Sequence, residues 1–376
     1  MLYFDYSATT YVSDEVLKEF NNACKLYRGN PNSVHTLGNR AKMRIDEASS
    51  NIARILGVKP SEIIYTSGAT ESNNLAIKGV CNANKGKHII TTMYEHSSVI
   101  APINRLADEG YDVSFVKLNP DGTVNVKYLQ KLIRDDTVLV SIVAVESEVG
   151  IKQNIEEIGT VLQRFPNVTF HVDATQLIGK DRFDFKYVDL VSFSAHKFFG
   201  IKGIGGLIKK EHVKLMPLLD GGSSTTKFRS GTPALELIVS LQTALIEAYK
   251  DFDNKLKKIH DINADLKNFF KGYKDIAINS TPKSIDQILN ISVPNSKKLV
   301  DLLIECGVCI STKSACSLNN SVSKPVKALY NNDYRAENSI RISISYVTTK
   351  KEVKEFKRVF DICYRKISDE NENNKN

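Results

Sequence analysis

The sequence has no run of eighteen apolar residues, and no basic stretch followed by an apolar one near Met1. A membrane-spanning helix needs about 18 or more consecutive apolar residues. A secretory leader needs a basic segment followed by an apolar one. We therefore expect neither a membrane span nor a signal peptide, and the sequence predicts a cytoplasmic protein.

Cysteine is also scarce. The six cysteines are Cys24, Cys81, Cys306, Cys309, Cys316 and Cys363. They are too few and too scattered for a disulfide framework in a chain of this size. Cys306 and Cys309 have the C-x-x-C spacing, but no second cysteine pair is placed to complete a zinc site. The helix end and apolar strand around them favour a packing role, so we expect no metal.

Strong charge of one sign is missing as well. The chain has 51 Lys and Arg against 43 Asp and Glu residues, a net charge of +8 spread along 376 residues. No block of basic residues is interleaved with aromatic ones, so we expect no direct nucleic-acid binding.

The length of the chain favours two domains, and its apolar content of 42% is ordinary for a globular protein.

Short apolar runs alternate with helical stretches between residues 42 and 210. The runs cover residues 63–66, 88–93, 112–118, 138–145, 168–172, 190–193 and 206–208. This alternation predicts an α/β fold in which a largely parallel sheet is covered by helices on both faces. Ligand-binding groups are then expected at the strand ends.

A helical stretch at residues 233–270 leads to a second, smaller α/β unit. Its predicted strands are 288–293, 308–311 and 340–345, and its predicted helices are 297–306 and 350–367. The tail from residue 368 to 376 is rich in Asn and Glu, which predicts disorder.

Two apolar runs end in residues that suit one cofactor. Lys197 ends the run from Val188, and Asp173 ends the run from Val168. A lysine at a strand end either has merely reached the surface or captures a carbonyl group as a Schiff base. Pyridoxal phosphate needs such a lysine for its aldehyde, and an anion against its pyridine nitrogen so that the ring acts as an electron sink.

A phosphate cradle is indicated at residues 63–74, where an apolar run leads through Ser67-Gly-Ala-Thr70 into the start of a helix. The free N–H groups and dipole of a helix N-terminus favour a phosphate dianion. Taken singly, such a turn is more often only a helix cap. In order with Asp173 and Lys197, it predicts a pyridoxal-phosphate site.

Several motifs together resemble the bacterial cysteine desulfurases of the NifS/IscS kind, in the class V aminotransferase superfamily of pyridoxal-phosphate enzymes. The motifs are Tyr3-Phe-Asp-Tyr-Ser-Ala-Thr-Thr10, Gly29-Asn-Pro-Asn-Ser-Val-His35, Thr66-Ser-Gly-Ala-Thr-Glu-Ser72, Glu95-His96, His171-Val-Asp-Ala-Thr-Gln176, Ser192-Phe-Ser-Ala-His-Lys197, Arg229-Ser-Gly-Thr232, Ser314-Ala-Cys316 and Ser339-Ile-Arg341. The resemblance covers nearly the whole chain, and motifs in one fixed order are far more specific than any single pattern.

The resemblance implies a fold type I transferase with a seven-stranded, mainly parallel sheet and a smaller α/β C-terminal domain. It places an N-terminal arm at residues 1–14, packed with the small domain, and a large cofactor-binding domain at 15–255. The small domain at 256–367 carries the catalytic cysteine loop, and the disordered tail follows at 368–376.

The resemblance also implies a role for each matched residue. Lys197, Cys316 and His96 are expected to be catalytic, with His96 stacked on the pyridine ring. Expected to bind the cofactor are Ala69, Thr70, Ser147, Asp173, Gln176, Ser194, His196 and Thr232. Arg341 and Asn32 are expected to bind the substrate, and a guanidinium suits a carboxylate because it can bind both oxygens. Thr232 matches a threonine that reaches the phosphate from the other subunit, which implies a homodimer with shared active sites.

Cys316 lies in a stretch of small, Ser- and Asn-rich residues between a predicted strand and the predicted helix at residues 324–330. A lone loop cysteine is usually incidental, although a thiolate there beside Lys313 can act as a nucleophile. The resemblance implies that Cys316 carries a persulfide taken from L-cysteine, which leaves L-alanine. The long stretch from Cys316 to Arg341 resembles the long-loop group, which delivers sulfur to an iron–sulfur scaffold or a tRNA-thiolation enzyme.

Three features depart from the family. Where the family has Val-Asn-Asn-Glu-(Ile/Val)-Gly, this chain reads Val145-Glu-Ser-Glu-Val-Gly150, so Ser147 replaces an asparagine and Glu146 adds a negative charge. Thr312-Lys313 replaces a Ser-Gly pair before Cys316, and the tail does not resemble a scaffold-docking extension.

These departures leave two other classes of protein open. One is a selenocysteine lyase, an aminotransferase or another class V enzyme, and the other is a catalytically weakened partner protein.

Overall fold

The structure, a computed structural model, describes residues 1–312 and 322–373, with side chains described up to residue 367. The strands are β1 (Leu2–Tyr3), β2 (Ile63–Thr66), β3 (His88–Thr91), β4 (Asp112–Phe115), β5 (Thr137–Val143), β6 (Thr169–Asp173), β7 (Leu190–Ser194), β8 (Gly205–Lys209), β9 (Ala277–Ile278), β10 (Ile288–Ser292), β11 (Val308–Cys309) and β12 (Ser339–Ser343). The helices are α1 (Asp14–Leu26), α2 (Thr36–Leu56), α3 (Ala69–Ala83), α4 (Ser97–Asp108), α5 (Val126–Leu132), α6 (Ile155–Leu162), α7 (Leu235–Tyr249), α8 (Phe252–Phe270), α9 (Ser296–Glu305), α10 (Lys324–Tyr330), α11 (Asp333–Glu337) and α12 (Lys350–Asn373).

A seven-stranded sheet in the order β2-β8-β7-β6-β5-β3-β4 organises the larger part of the chain. Within this sheet β8 runs antiparallel to both of its neighbours, and the other pairs are parallel. The predicted seven-stranded, mainly parallel sheet is therefore confirmed, with one reversed strand. The reversal follows from the short connection between β7 and β8, which is too short for a parallel crossover.

Helices cover both faces of this sheet because neighbouring strand residues point to opposite sides. Ile64 and Leu139 pack on the face that carries α3 and α4. Ile63 and Val140, one residue away along the same strands, pack in the core that includes α2 and α7. Two-sided burial explains why the strands read as continuous apolar runs.

A second core gathers residues from the C-terminal part of the chain. The antiparallel sheet β12-β10-β9 packs with α8, α9 and α12, and Phe4 of the N-terminal arm lies in the same apolar cluster at 0% exposure. The pair β1–β11 is parallel and brings the arm alongside residues 308–309. The arm is thus attached to this second core.

Two local predictions differ from the structure. The helical stretch predicted at residues 233–270 is broken between α7 and α8, where Asp251 has a φ of +51°. Aspartate tolerates this left-handed conformation better than most residues do. The last helix continues to Asn373, although the sequence predicts disorder from residue 368. In the part of the chain that the structure describes, no helix is long and apolar enough to cross a membrane.

Candidate active site

A cavity of about 490 Å³ lies at the strand ends of the large sheet and brings together most of the predicted site residues. It is lined by Ala69, Thr70, His96, Ser147, Asp173, Gln176, Ser194, His196, Lys197 and Arg341. These residues come from positions up to 272 apart in the sequence. Most of them follow strand ends of the large sheet, which meet at one edge, and Arg341 comes from β12 of the smaller sheet.

Lys197 ends a short 3₁₀ turn, Ala195–Lys197, that directly follows β7. Its Nζ donates hydrogen bonds to the backbone carbonyls of Ser7 and Ala8, both at 2.8 Å. The N-terminal arm therefore holds the lysine amine inside the cavity. The sequence pattern did not point to this contact, because it joins residues about 190 positions apart.

Asp173, at the end of β6, is 3% exposed. Its Oδ1 accepts a hydrogen bond from the backbone N–H of Thr175 at 3.0 Å, and its Oδ2 accepts one from Nδ2 of Asn73 at 2.8 Å. These two donors hold the carboxyl group of Asp173 in one orientation. Sequence reasoning missed Asn73, although its position one helical turn after Thr70 was a usable signal.

His96 caps the N-terminus of α4. Its Nδ1 accepts the backbone N–H of Ser98 at 3.1 Å and lies 2.8 Å from the Ser98 hydroxyl. Burial lowers the pKa of His96 below its ordinary value, the Lys197 amine lowers it further, and Asp173 opposes them. The ring is therefore neutral at neutral pH, and its Nδ1 faces Ser98.

The residues predicted to form a phosphate cradle lie at the N-terminus of α3, whose first N–H groups have no acceptor within the helix. Gly68 precedes the helix with a φ of +149°, and a Cβ there would lie 3.3 Å from the Ser194 hydroxyl. His196 also lines the cavity, and its Nδ1 lies 3.1 Å from the Thr9 hydroxyl. Burial, and then the charge of Lys197, lower the pKa of His196 to about 4. The cradle is thus lined with hydrogen-bonding groups, which suits an anion.

Gln176 is held with one amide orientation. Its Nε2 donates to the Ser7 carbonyl at 2.9 Å, and its Oε1 accepts from Nζ of the buried Lys180. Because the Ser7 carbonyl can only accept, the nitrogen of the amide must face it, and the oxygen therefore faces Lys180. Burial holds the pKa of Lys180 well below its usual value, with Lys197 and Arg341 acting in the same direction.

Arg341 lies on β12 and is 1% exposed. Its Nη2 pairs with Oδ1 of Asp5 at 2.8 Å, and its Nη1 donates to the Ser147 carbonyl at 3.0 Å. Its buried Nε has no hydrogen-bond partner among the described residues. A guanidinium fixed in this way at a cavity wall suits the binding of a carboxylate.

The turn that carries Ser147 directs its two neighbouring glutamates away from the cavity. Glu146 is 1% exposed and is absent from the cavity lining, whereas Ser147 is present. The two carboxyl oxygens of Glu146 accept hydrogen bonds from the backbone N–H groups of Glu148 and Val149, each at 2.6 Å. Burial, and then Glu148, raise the pKa of Glu146 to about 8. The carboxyl group that this sequence has at residue 146 therefore does not line the cavity.

Replacing Glu146 with glutamine is expected to reduce the dependence of stability on pH. A carboxyl group whose pKa is raised in the folded state contributes stability below its unfolded pKa, and this contribution is lost as pH rises through about 8. Urea unfolding of Glu146→Gln should therefore show a smaller fall in the free energy of unfolding between about pH 5 and 8 than the parent protein. Glu337→Gln, at an exposed position, is the control and should keep the parent slope. Equal slopes for both variants would refute the raised pKa.

Two predicted residues do not line this cavity, and a third lies outside the described residues. Asn32 is exposed and accepts a hydrogen bond from Ser224 at 3.0 Å, and Thr232 is also exposed. Neither lines the cavity of its own chain, so a role for Thr232 across a dimer stays a prediction. Cys316 lies outside the described residues, which end at Thr312 and resume at Val322.

Cys306 and Cys309 also remain outside the site. The Sγ of Cys306 lies 3.9 Å from the Sγ of Cys363 on α12, not beside Cys309. Burial raises the pKa of the Cys363 thiol to about 11. Among the described residues, no group of three or more His, Cys, Asp or Glu side chains is placed to hold a metal ion.

The comparisons with known proteins agree with the resemblance seen in the sequence. The family described as Aminotransferase class-V matches residues 2–356. The cysteine desulfurase IscS of Glaesserella parasuis is 39% identical over 369 residues, which cover 94% of this chain and 90% of that protein.

Two solved structures support the same relationship. A structure described as a NifS-like protein superposes with a TM-score of 0.90 at 34% identity and covers 96% of this chain and 98% of its own. A structure of SspA in complex with cysteine superposes with a TM-score of 0.82 at 30% identity, covering 93% and 100%. The resemblance predicted from the sequence is therefore confirmed.

Proposed function

Because this chain belongs to the class-V aminotransferase family, and within it to the cysteine desulfurases, we propose that it takes sulfur from L-cysteine as a persulfide on Cys316. The other product is L-alanine, and the sulfur then passes to an acceptor protein. The observation that carries this proposal is the single cavity in which Lys197, Asp173 and Arg341 meet.

The family uses pyridoxal phosphate, and the residues of the cavity fit that group. The α3 cradle, where a side chain at Gly68 would crowd Ser194, suits the phosphate. Asp173 suits the pyridine nitrogen, and Lys197 suits the aldehyde. When bound, the cofactor supplies an electron sink for the bonds around the substrate's α-carbon.

The chain's own residues then bind the substrate and move its protons. Arg341 is proposed to release Asp5 and to bind the substrate carboxylate, which carries the same negative charge as the Asp5 side chain. Its position on β12 fixes where that carboxylate lies. His96 is proposed to present Nε2 to the substrate, since Nδ1 is occupied by Ser98. A neutral imidazole there can accept and return a proton near neutral pH.

Cys316 is proposed to attack the sulfur of bound L-cysteine as a thiolate. A sulfur–sulfur bond forms, the carbon–sulfur bond breaks, and its electron pair with a proton becomes a carbon–hydrogen bond of L-alanine. No external oxidant is required. Ser311 exchanges backbone hydrogen bonds with Arg341. Cys316 follows Ser311 by five residues, and five residues of fully extended chain span at most about 18 Å.

The acceptor and the assembly state belong to the proposal as well. We expect an iron–sulfur scaffold or a tRNA-thiolation enzyme as acceptor. We also expect a homodimer in which Thr232 of one copy completes the phosphate site of the other. Identification of the co-purified protein that receives labelled sulfur tests the first expectation, and the mass of the protein in solution tests the second.

The experiment for the central proposal measures products from L-cysteine in the presence of a thiol reductant. Sulfide and L-alanine in equal amounts are expected. A much faster reaction with L-selenocysteine would favour a selenocysteine lyase, and amino transfer to a keto acid would favour an aminotransferase. Bound cofactor without turnover of any of these substrates would identify a weakened partner protein.

Ser147→Asn is expected to lower the KM for L-cysteine. Serine is shorter than asparagine and offers one donor where the amide offers two. A lost hydrogen bond to a charged carboxylate costs about 1.5–3 kcal/mol, or roughly ten- to a hundredfold in affinity. Glu146→Gln is the matched control in the same turn, and its KM should stay within about twofold because Glu146 does not line the cavity. An unchanged or higher KM for Ser147→Asn would mean that Ser147 suits a different substrate.

A further inference from the structure

Asn73 is a fully buried residue on α3 that contacts two parts of the site at once. Its Nδ2 donates to Oδ2 of Asp173 at 2.8 Å and to the hydroxyl of Ser98 at 2.9 Å. The Asp173 carboxylate can only accept, so the amide nitrogen must face it. Asn73 Oδ1 has no partner among the described residues. A buried amide with one end unsatisfied costs stability, so packing alone does not account for it.

The direction of the amide fixes the direction of the next hydrogen bond. The Ser98 oxygen already accepts a hydrogen from Asn73, so its own hydrogen is free to point to Nδ1 of His96, 2.8 Å away. The backbone N–H of Ser98 donates to the same Nδ1 at 3.1 Å. With two donors aimed at it, Nδ1 carries no proton, and the proton of the neutral ring is on Nε2.

We infer that Asn73 is a positioning residue that sets the tautomer of His96 through Ser98 and orients the Asp173 carboxylate. This inference deepens the proposed function, on which its catalytic meaning rests. One side chain thereby links the anion expected at the pyridine nitrogen to the histidine expected to stack on the ring. The relay runs from Asp173 through Asn73 and Ser98 to His96, and each step is a hydrogen bond of 2.9 Å or less.

Asn73→Asp is the informative change because it reverses the direction of the relay. The new carboxyl group faces Asp173 at about 2.8 Å, so the two groups share one proton between them. With that proton held toward Asp173, the new group accepts from the Ser98 hydroxyl, which then offers a lone pair to His96. Only the backbone N–H at 3.1 Å then opposes a proton on Nδ1. Asn73→Leu, of similar size, removes the donor without adding charge and should give a partial change in the same direction.

The test measures the ¹⁵N resonances of the His96 ring in the full-length protein labelled with [¹⁵N]histidine, with and without pyridoxal phosphate. The chain has seven histidines, and the His96 signals are assigned by their loss in His96→Asn. The parent protein should show protonated Nε2 and unprotonated Nδ1. Asn73→Asp should shift the population toward protonated Nδ1, and turnover should fall by about ten- to a hundredfold, which is part of the roughly 10²–10⁴-fold that a general acid–base group contributes.

The matched control is Asn74→Asp, which makes the same change one residue later. Asn74 is half-buried and donates to the Thr70 carbonyl at 3.0 Å rather than to Asp173 or Ser98, so the His96 resonances should not move. Parent-like resonances in both Asn73→Asp and Asn73→Leu would overturn the inference, since the backbone N–H alone would then set the tautomer. Because the resonances are read without any reaction, this outcome is distinguishable from a failure of the proposed function.

Discussion

Lys197→Ala is expected to abolish sulfur release and the covalent attachment of pyridoxal phosphate, while the fold persists. The lysine lies in a turn whose backbone is fixed by β7 on one side and β8 on the other. The substitution leaves two carbonyls, of Ser7 and Ala8, without this donor. Loss of such contacts costs about 1–3 kcal/mol, which a domain of this size tolerates. Catalysis should fall by several orders of magnitude, because no other group replaces a missing nucleophile.

The attachment is measured by borohydride reduction followed by peptide mass spectrometry. The parent protein should carry the mass of the cofactor on Lys197, and the variant should carry none. Lys202→Ala is the matched control, because Lys202 lines the same cavity and its loss should leave the attachment intact. A stable adduct on Lys180 or Lys202 in Lys197→Ala would show that the cofactor lysine was assigned wrongly.

The strand-end residues could be predicted from the sequence because they depend on local pattern. Continuous apolar runs gave the strands of the large sheet, and parallel strands bring their carboxyl ends to one edge. Asp173 and Lys197 therefore fell in one cavity. The helix break at Asp251 was missed, since a polar residue at helical spacing gives no sign of a positive φ.

Contacts between distant segments could not be predicted. The pair of Asp5 with Arg341 joins residues 336 positions apart, and the bond from Asn73 to Asp173 joins residues 100 apart. Both depend on how helices and the N-terminal arm pack on the sheet. The direction of Glu146 also required the structure, because a tight turn decides which of three successive side chains points into the cavity.

Cys316→Ala is expected to separate substrate binding from sulfur transfer. The groups proposed to bind L-cysteine, chiefly Arg341 and the cofactor site, are unchanged in this variant. Addition of L-cysteine should therefore still alter the absorbance of the bound cofactor. No persulfide should form, and sulfide release should fall by about a thousandfold or more, as expected when a nucleophile is removed. Mass spectrometry of the protein after a single addition of L-cysteine measures the persulfide directly.

The controls for this variant are Cys306→Ala and Cys309→Ala, which should both keep the persulfide and the rate. Cys306 lies beside Cys363, and Cys309 pairs with Tyr3 in the β1–β11 ladder, so neither belongs to the cavity lining. A persulfide on Cys306 or Cys309 would move the sulfur carrier to the segment at residues 306–309 and contradict the proposal. Undiminished turnover in Cys316→Ala would instead favour an aminotransferase, which has no use for a thiol at this position. The two failures differ in their products, so the variant distinguishes a wrong residue from a wrong reaction.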